Sequence, residues 1–192
     1  MSPRALRADA QLNQERLLEA AARAFARDGA DTSLKAIAQD AGVGIGTLYR
    51  RFPSRDDLIE ATYRNETARL CERVPELLVA STPRDALRSW AEGFVDYMLT
   101  KTGMAEALPG ILAAQEGLRR HSRDLLRDAI GTLLAAGIVD GTVRDDVPAN
   151  DVMMALGGIT LIAGHESQRQ LASRLLELLL DGLSPTAKPG AA

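Results

Sequence analysis

The chain has 192 residues, of which 46% are hydrophobic and only 4% are aromatic. This composition predicts helices that pack through Ala and Leu, and the length allows a small N-terminal domain followed by a larger one. The formal net charge of −3 is unevenly divided, because residues 1–55 carry nine Lys or Arg against six Asp or Glu, while the remainder carries 14 against 20. A basic N-terminal end suits a polyanionic partner.

Other features of the composition exclude several classes of protein. The one cysteine, Cys71, excludes a disulfide framework within the chain, and we expect it to be a small buried side chain in a reducing cytosol. The N-terminus lacks the apolar run of a targeting segment, and the longest apolar run, 13 residues from Val152, is too short to cross a bilayer of about 30 Å. A cytoplasmic protein is expected.

The first predicted helix runs from about Asn13 to Arg27. Asn13 is a favourable N-cap, and Gly29 is expected to stop the helix. The apolar face consists of residues at helical spacing: Leu17, Leu18, Ala21, Ala22 and Phe25. Residues 1–12 are expected to form an N-terminal arm, whose arginines either follow a polyanion or remain idle.

Residues 34–55, LKAIAQDAGVGIGTLYRRFPSR, predict two short helices joined by a tight turn. Gly42 suits the left-handed conformation that ends the first helix. Val43 and Leu48 are expected to point into the core, which leaves small, aromatic and cationic groups outside on the second helix. Such a helix end fits the major groove of DNA. The outward positions are Gly44, Ile45, Gly46, Thr47, Tyr49, Arg50 and Arg51.

Residues 41–58 read AGVGIGTLYRRFPSRDDL. This stretch resembles the TetR family of transcriptional regulators, whose pattern runs Ala-Gly-Val, two variable residues, Gly-Thr-Leu-Tyr, two variable residues, Phe-Pro-Ser-Lys, then acidic residues and Leu. The chain departs from the pattern at Arg55, where Lys is commoner, and at Gly44 and Ile45, where polar residues are frequent. The resemblance covers roughly residues 12–65. It implies an N-terminal three-helix helix-turn-helix domain and a C-terminal helical ligand-binding and dimerisation domain.

Two kinds of DNA contact are expected from these residues. Lys35, Arg55 and Tyr49 suit the phosphate backbone, with Ser33 helping at the start of the first motif helix. Ile45 and Thr47 present methyl or hydroxyl groups to thymine methyls or base edges, and Arg50 or Arg51 can reach guanine.

The motif has two other interpretations. The three glycines at 42, 44 and 46 superficially suggest a dinucleotide-binding loop, but that fingerprint follows a buried strand, and KAIAQDA is a helical pattern. A helical hairpin with no partner would leave the clustered cations without a role.

The rest of the chain predicts six further helices. The fourth begins at Ser54, where Asp57 completes a capping box, and Pro75 must kink or end it near Val74. The fifth starts at Thr82 and Pro83. The others are expected at about Met104–Ala114, Arg119–Ala136, from Asn150, and from Ser167 to Leu183.

Large, adaptable side chains in the middle helices favour a cavity for an apolar or amphipathic effector. An ordinary helical core would show the same pattern, so the residues alone leave this open, whereas the resemblance implies an effector pocket. The candidates are Trp90, Phe94, Tyr97, Met98, Met104, Leu108, Leu112, Gln115, Met153 and Met154.

The last two helices carry more apolar area than one core face requires, which favours pairing with a second subunit. The alternative is that they only complete the monomer core. The candidate interface residues are Leu156, Ile159, Thr160, Leu171, Leu175, Leu178 and Leu179.

We therefore expect an all-α homodimer that binds an inverted-repeat operator and is released from it by a small effector, as a repressor would be. The expected divisions are a DNA-binding domain at 1–55, an effector-binding and dimerisation domain at 56–183, and a disordered tail at 184–192. No metal, cofactor or enzymatic activity is expected, because no metal-ligand spacing or paired nucleophile and base is present. The alternatives are a constitutive DNA-binding or architectural protein without an effector, and a helical adaptor that has lost DNA binding.

Overall fold

The computed structural model describes residues 3–163 and 168–185, which form ten helices and no strand. The all-α prediction is confirmed. In chain order the helices are α1 (Pro3–Asp28), α2 (Leu34–Asp40), α3 (Ile45–Arg51), α4 (Arg55–Glu72), α5 (Val74–Ala80), α6 (Pro83–Gly103), α7 (Leu108–Ala114), α8 (Glu116–Val139), α9 (Ala149–Ala163) and α10 (Arg169–Gly182). Of these helices, none is both long enough and apolar enough to cross a membrane.

The helices belong to two compact units. The first contains the described residues up to Glu66 together with Thr100–Arg119, and the second contains Thr67–Leu99 and the described residues from Arg120 onward. The division falls inside α4, α6 and α8. The functional boundary expected at residues 55/56 remains a prediction.

In the first unit, α1, α2 and α3 enclose a core of aliphatic and aromatic side chains. Gly29 and Gly42 have φ angles of 79° and 69°, so each ends its helix in the left-handed conformation that glycine adopts without steric cost. The fully buried side chains of the unit include Leu17, Phe25, Ile37, Leu48, Leu58 and Ile59. The apolar faces predicted for the first three helices therefore do form their core.

The end of α6 lies directly against the end of α1 within this unit. A Cβ atom placed on Gly103 would stand 1.9 Å from the carbonyl oxygen of Phe25, so no larger residue fits without moving the backbone. Met104 and Leu108, which follow Gly103, are buried in the same unit.

The second unit is built around an aromatic run on α6. The Trp90 and Phe94 ring centroids are 5.8 Å apart, and so are those of Phe94 and Tyr97. Trp90 is fully buried and its indole N–H donates to the carbonyl oxygen of Leu70 at 3.0 Å. The Thr67 hydroxyl lies 3.3 Å from the Tyr97 hydroxyl. Each polar atom of this aromatic run therefore has a partner inside the unit.

Several predicted helix ends differ from the observed ones. The first helix begins at Pro3, not near Asn13, because no Gly or Pro interrupts the good helix formers between Pro3 and Gly29. Most of the expected N-terminal arm is thus helical. Pro75 ends α4 by starting a separate helix, α5, where its missing N–H costs nothing. The expected start at Ser167 and tail residues 186–192 lie outside the described residues.

Gly103→Ala is expected to lower the free energy of unfolding by about 1–3 kcal/mol or more, because the new methyl group has no space beside Phe25. Gly117→Ala is the matched control, since a Cβ there meets nothing within 4 Å and alanine is the better helix former. Thermal and urea unfolding of both variants checks this. Equal stability of the two would show that α1 and α6 are not packed this closely.

Candidate nucleic-acid interface

The turn between α2 and α3 has the backbone geometry of a helix-turn-helix. Ser33 caps α2 by accepting the Ala36 N–H at its hydroxyl, 3.4 Å away. Past the left-handed Gly42, the Val43 N–H donates to the Ala38 carbonyl at 2.9 Å, which closes the turn. Gly44 is the N-cap of α3 and has no side chain above the free N–H groups of that helix. The first N–H groups of α3 thus have no side-chain cap, whereas the start of α2 is capped by Ser33.

One face of α3 is exposed, because Leu48 is fully buried and fixes the rotation of the helix. The Ile45 side chain is 39% exposed and the Tyr49 side chain 49%. We call the outward-facing residues the α3 surface; all are exposed except Thr47, which is half-buried, and the set consists of Gly44, Ile45, Gly46, Thr47, Tyr49, Arg50 and Arg51. Ser33 and Lys35 at the start of α2 are also exposed. The predicted DNA contacts on α2 and α3 therefore all reach solvent.

The two guanidinium groups of α3 already have partners inside the protein. Arg50 folds back along its own helix, where Nε donates to the Gly46 carbonyl at 3.3 Å and Nη2 to the Thr47 hydroxyl at 3.1 Å. Arg51 donates to the side-chain amide oxygen of Gln14 on α1. These bonds are exposed, so either group can exchange them for a DNA atom at little cost.

A groove of about 230 Å³ lies between α1 and α3. Its lining residues are Asn13, Gln14, Leu17, Thr47, Arg50 and Arg51. The sequence predicts Asn13 as a helix cap and predicts no role for Gln14, because the predicted helix begins near Asn13 whereas the observed one begins at Pro3. The signal that could have revealed them is helical spacing, since Asn13 and Gln14 precede the core residue Leu17 by one turn.

Arg55 has an internal position that the sequence did not predict. Its Nη1 atom donates to the carbonyl oxygens of Ala30 and Thr32 at 2.5 and 2.8 Å, and the side chain is half-buried. These carbonyls belong to the turn between α1 and α2, so Arg55 holds that turn against the start of α4. To contact a phosphate as well, as the sequence predicts, the guanidinium would have to bind DNA while it also holds these two carbonyls.

The capping box at the start of α4 is confirmed. The Ser54 N–H donates to the Asp57 carboxylate at 2.9 Å, and the Asp57 N–H donates to the Ser54 hydroxyl at 3.1 Å. This reciprocal pair fixes where α4 begins. It thereby fixes the position of Arg55, the first residue of the helix.

The predicted effector residues are divided between the two units. Trp90, Phe94, Tyr97, Met98, Met153 and Met154 belong to the second unit, and Met104, Leu108, Leu112 and Gln115 to the first. Met154 is 60% exposed, which is unlike the lining of an enclosed cavity. Both polar ends of the Gln115 amide are bonded to α4.

The exposed apolar face of α9 differs from the predicted one. Leu156 and Thr160 are buried in the second unit, at 1% and 4% exposure. The large exposed side chains of α9 are instead Met154, Leu161 and Ile162. The face is rotated because α9 uses Leu156 and Thr160 to pack on its own unit. On α10, Leu178 is 67% exposed, while Leu171, Leu175 and Leu179 are half-buried.

Cys71 is half-buried, and its chemistry is that of a protonated thiol. Burial, with smaller contributions from Glu72 and Asp128, raises the pKa of Cys71 to about 11. Because the thiolate is the reactive form, this thiol is unreactive near neutral pH. Within residues 3–163 and 168–185, no three His, Cys, Asp or Glu side chains are grouped as metal ligands.

Comparison with known proteins identifies the family. Residues 17–62 match the model described as bacterial regulatory proteins, tetR family, and residues 82–185 match the model of the SbtR-like transcriptional regulator C-terminal domain. The chain belongs to the TetR family of transcriptional regulators. A TetR-family protein with this helix-turn-helix is a DNA-binding transcriptional regulator.

Solved TetR-family structures resemble most of the chain. A TetR transcriptional regulator from Streptomyces coelicolor is 47% identical, with a TM-score of 0.85 over 90% of this chain and 99% of that one. A TetR regulator from Mycobacterium vanbaalenii is 31% identical, with a TM-score of 0.76 over 94% of this chain and 99% of that one. An HTH-type transcriptional regulator of Staphylococcus aureus (strain USA300) is 41% identical over 54 residues, which span 28% of this chain and 29% of the relative.

Arg55→Met is expected to lower the free energy of unfolding by about 1.5–3 kcal/mol, because two carbonyls lose a charged donor. Lys35→Met is the matched control: it removes one exposed cation and should leave stability unchanged. On DNA, Lys35→Met should reduce the salt slope of log K by about one.

The salt slope of Arg55→Met then decides between its two roles. A slope equal to that of the parent protein identifies a purely internal residue, and a slope lower by about one shows a phosphate contact as well. Unchanged stability of Arg55→Met would contradict the internal role.

Proposed function

We propose that this TetR-family protein is a cytoplasmic homodimeric repressor that binds an inverted-repeat operator and leaves it when a small effector binds. The observation that supports DNA binding most directly is the α3 surface: Leu48 anchors the helix, and the side chains that remain outside are small, aromatic or cationic.

Across α2 and α3, phosphate contact and base reading are proposed to fall to different residues. Lys35, Tyr49 and Ser33 lie exposed at the start of α2 and on α3 and are proposed to contact phosphates. Ile45 and Thr47, in the first turn of α3, are proposed to contact thymine methyls or base edges. Arg50 and Arg51 are proposed to reach guanine after releasing their internal partners.

The dimer is proposed to form through α9 and α10. The exposed apolar side chains Met154, Leu161 and Ile162 on α9, with Leu178 on α10, are a concentration of apolar surface that a monomer seldom exposes. Leu171, Leu175 and Leu179 remain proposed contacts beside them, as does Ile159. Two α3 helices related by a two-fold axis would read half-sites with centres about 34–36 Å apart.

The effector is proposed to be an apolar or amphipathic molecule that contacts the aromatic run of the second unit. Trp90, Phe94 and Tyr97, with Met98 and Met153, provide the adaptable apolar surface that such ligands use. Met104, Leu108 and Leu112 remain candidates from the first unit. Because α4 is continuous from Arg55 to Glu72, we propose that it carries the effect of the ligand to the DNA-binding helices.

One observation favours the alternative of constitutive DNA binding. Trp90, Phe94 and Tyr97 are each at most 4% exposed, and their rings pack against one another, the first pair stacked and the second tilted, as in a filled core. A protein with this core and no effector would bind its operator under all conditions.

The proposed operator is tested by selecting genomic DNA fragments with the purified protein. Enrichment of fragments that share an inverted repeat, in front of a gene whose transcription rises when this protein is deleted, supports a repressor. No enrichment over random DNA would favour an adaptor that has lost DNA binding.

Leu178→Glu is expected to convert the dimer to monomers and to weaken operator binding at least tenfold, because a carboxylate would be buried at the interface. Val79→Glu is the matched control, since Val79 is 90% exposed on α5, outside the proposed interface. Analytical ultracentrifugation and operator titration measure both effects. A Leu178→Glu protein that stays dimeric would place the interface elsewhere.

A thermal-shift screen of apolar and amphipathic metabolites is expected to find a ligand that lowers operator affinity roughly 5- to 150-fold, the usual range of coupling between two sites. By reciprocity, saturating operator DNA must weaken ligand binding by the same factor. Calorimetry with and without operator measures it. A ligand that binds tightly and leaves operator affinity unchanged would favour constitutive binding.

A further inference from the structure

Gln115 joins the junction between α7 and α8 to α4 through both ends of its side-chain amide. It is the residue between α7 and α8, and its backbone is not helical, with φ −127° and ψ 69°. Its Nε2 donates to the Glu60 carboxylate on α4 at 2.5 Å, and its Oε1 accepts a hydrogen bond from Arg64 at 3.2 Å. Arg64 also donates to the other oxygen of Glu60 at 2.8 Å. The three side chains therefore form a closed ring of hydrogen bonds.

The ring requires a neutral side chain at position 115 that both donates and accepts. A carboxylate there would face the Glu60 carboxylate, and a cation would face Arg64. Glu60 and Gln115 are half-buried and Arg64 is exposed, so the Gln115–Glu60 bond is better shielded from water than an isolated surface ion pair. The geometry therefore favours an amide at position 115, because an amide can bond both Glu60 and Arg64.

Contacts on α4 continue from this ring to the DNA-binding helices. Arg55, the first residue of α4, lies five positions before Glu60 and holds the carbonyls of Ala30 and Thr32. The next residue, Ser33, caps α2. Every member of this series belongs to the first unit. The junction of α7 and α8 is therefore tied to the turn that presents Ser33 and Lys35.

We propose that Gln115 is a positioning residue for DNA binding. By holding Glu60 and Arg64, it fixes α4, and through α4 the turn before α2, in the arrangement that binds the operator. The proposal rests on the proposed function, and it changes the role expected of Gln115 from ligand contact to internal bond. Residues 100–119, which belong to the same unit as the DNA-binding helices, would thereby help to hold those helices in position.

The test measures operator affinity of Gln115→Glu, which keeps the shape of the side chain and sets a carboxylate against Glu60. We expect a loss of roughly fivefold or more, at the lower end of coupling between distant sites. The salt slope should stay at the parent value, because Gln115 touches no phosphate. The control is Gln168→Glu, the same change at an exposed residue of the second unit, which should bind like the parent.

The double variant Glu60→Gln with Gln115→Glu supplies the decisive comparison. It exchanges the carboxylate and the amide, so that the ring can form again with its partners reversed, and operator affinity should return to within about twofold of the parent. A merely destabilising change at position 115 would not be rescued in this way. Gln115→Met keeps the length of the side chain but has no N–H or C=O group, so it should lose operator affinity as Gln115→Glu does. It replaces Gln115→Glu in the test if that variant does not fold.

The outcomes separate the two proposals. Parent-like affinity of Gln115→Glu and Gln115→Met, or absence of rescue in the double variant, would overturn the positioning role. A parent protein that selects no DNA fragments would overturn the proposed function instead.

Discussion

Leu48 is the one fully buried side chain of α3, and its burial fixes the rotation of that helix about its axis. With Leu48 inside, Tyr49 and Arg50 are turned away from the core, while Ile45 and Arg51, each three residues from Leu48, lie beside it and are still exposed. The left-handed turn at Gly42 brings α3 back against α2, so the anchor can reach the core. A polar residue at 48 would therefore disturb both the core and the DNA-facing side of the helix.

Around this anchor, the cations are held by the protein before any DNA is present. Arg51 is bonded to Gln14, Arg50 to its own helix, and Arg55 to the turn between α1 and α2. Groups that are already ordered lose less conformational entropy when they bind. The exposed bonds of Arg50 and Arg51 can be exchanged, whereas Arg55 is half-buried and holds two carbonyls. Arg50 and Arg51 are therefore more available to DNA than Arg55, although the three arginines are close together in the sequence.

The second unit shows a comparable division between packing and surface. Leu156 and Thr160 pack inward on α9, so Met154, Leu161 and Ile162 are left exposed. Helical spacing does not distinguish the two sets, because Leu156 and Thr160 are four residues apart and Met154 and Leu161 are seven, and both intervals bring side chains to one face of a helix. The choice depends on which side of α9 meets the rest of the unit, and the sequence of α9 does not contain that information.

The sequence by itself determined the helical class, the helix-turn-helix, the glycine stops at Gly29 and Gly42, and the capping box of Ser54 and Asp57. These features depend on local backbone preferences and on spacing within a few residues. Only the tertiary structure decided that Arg55 holds Ala30 and Thr32, that Gly103 must be small beside Phe25, and that Gln115 is bonded to Glu60. Each of these contacts joins residues more than 20 positions apart, and such pairs meet only when the packing of the helices is known.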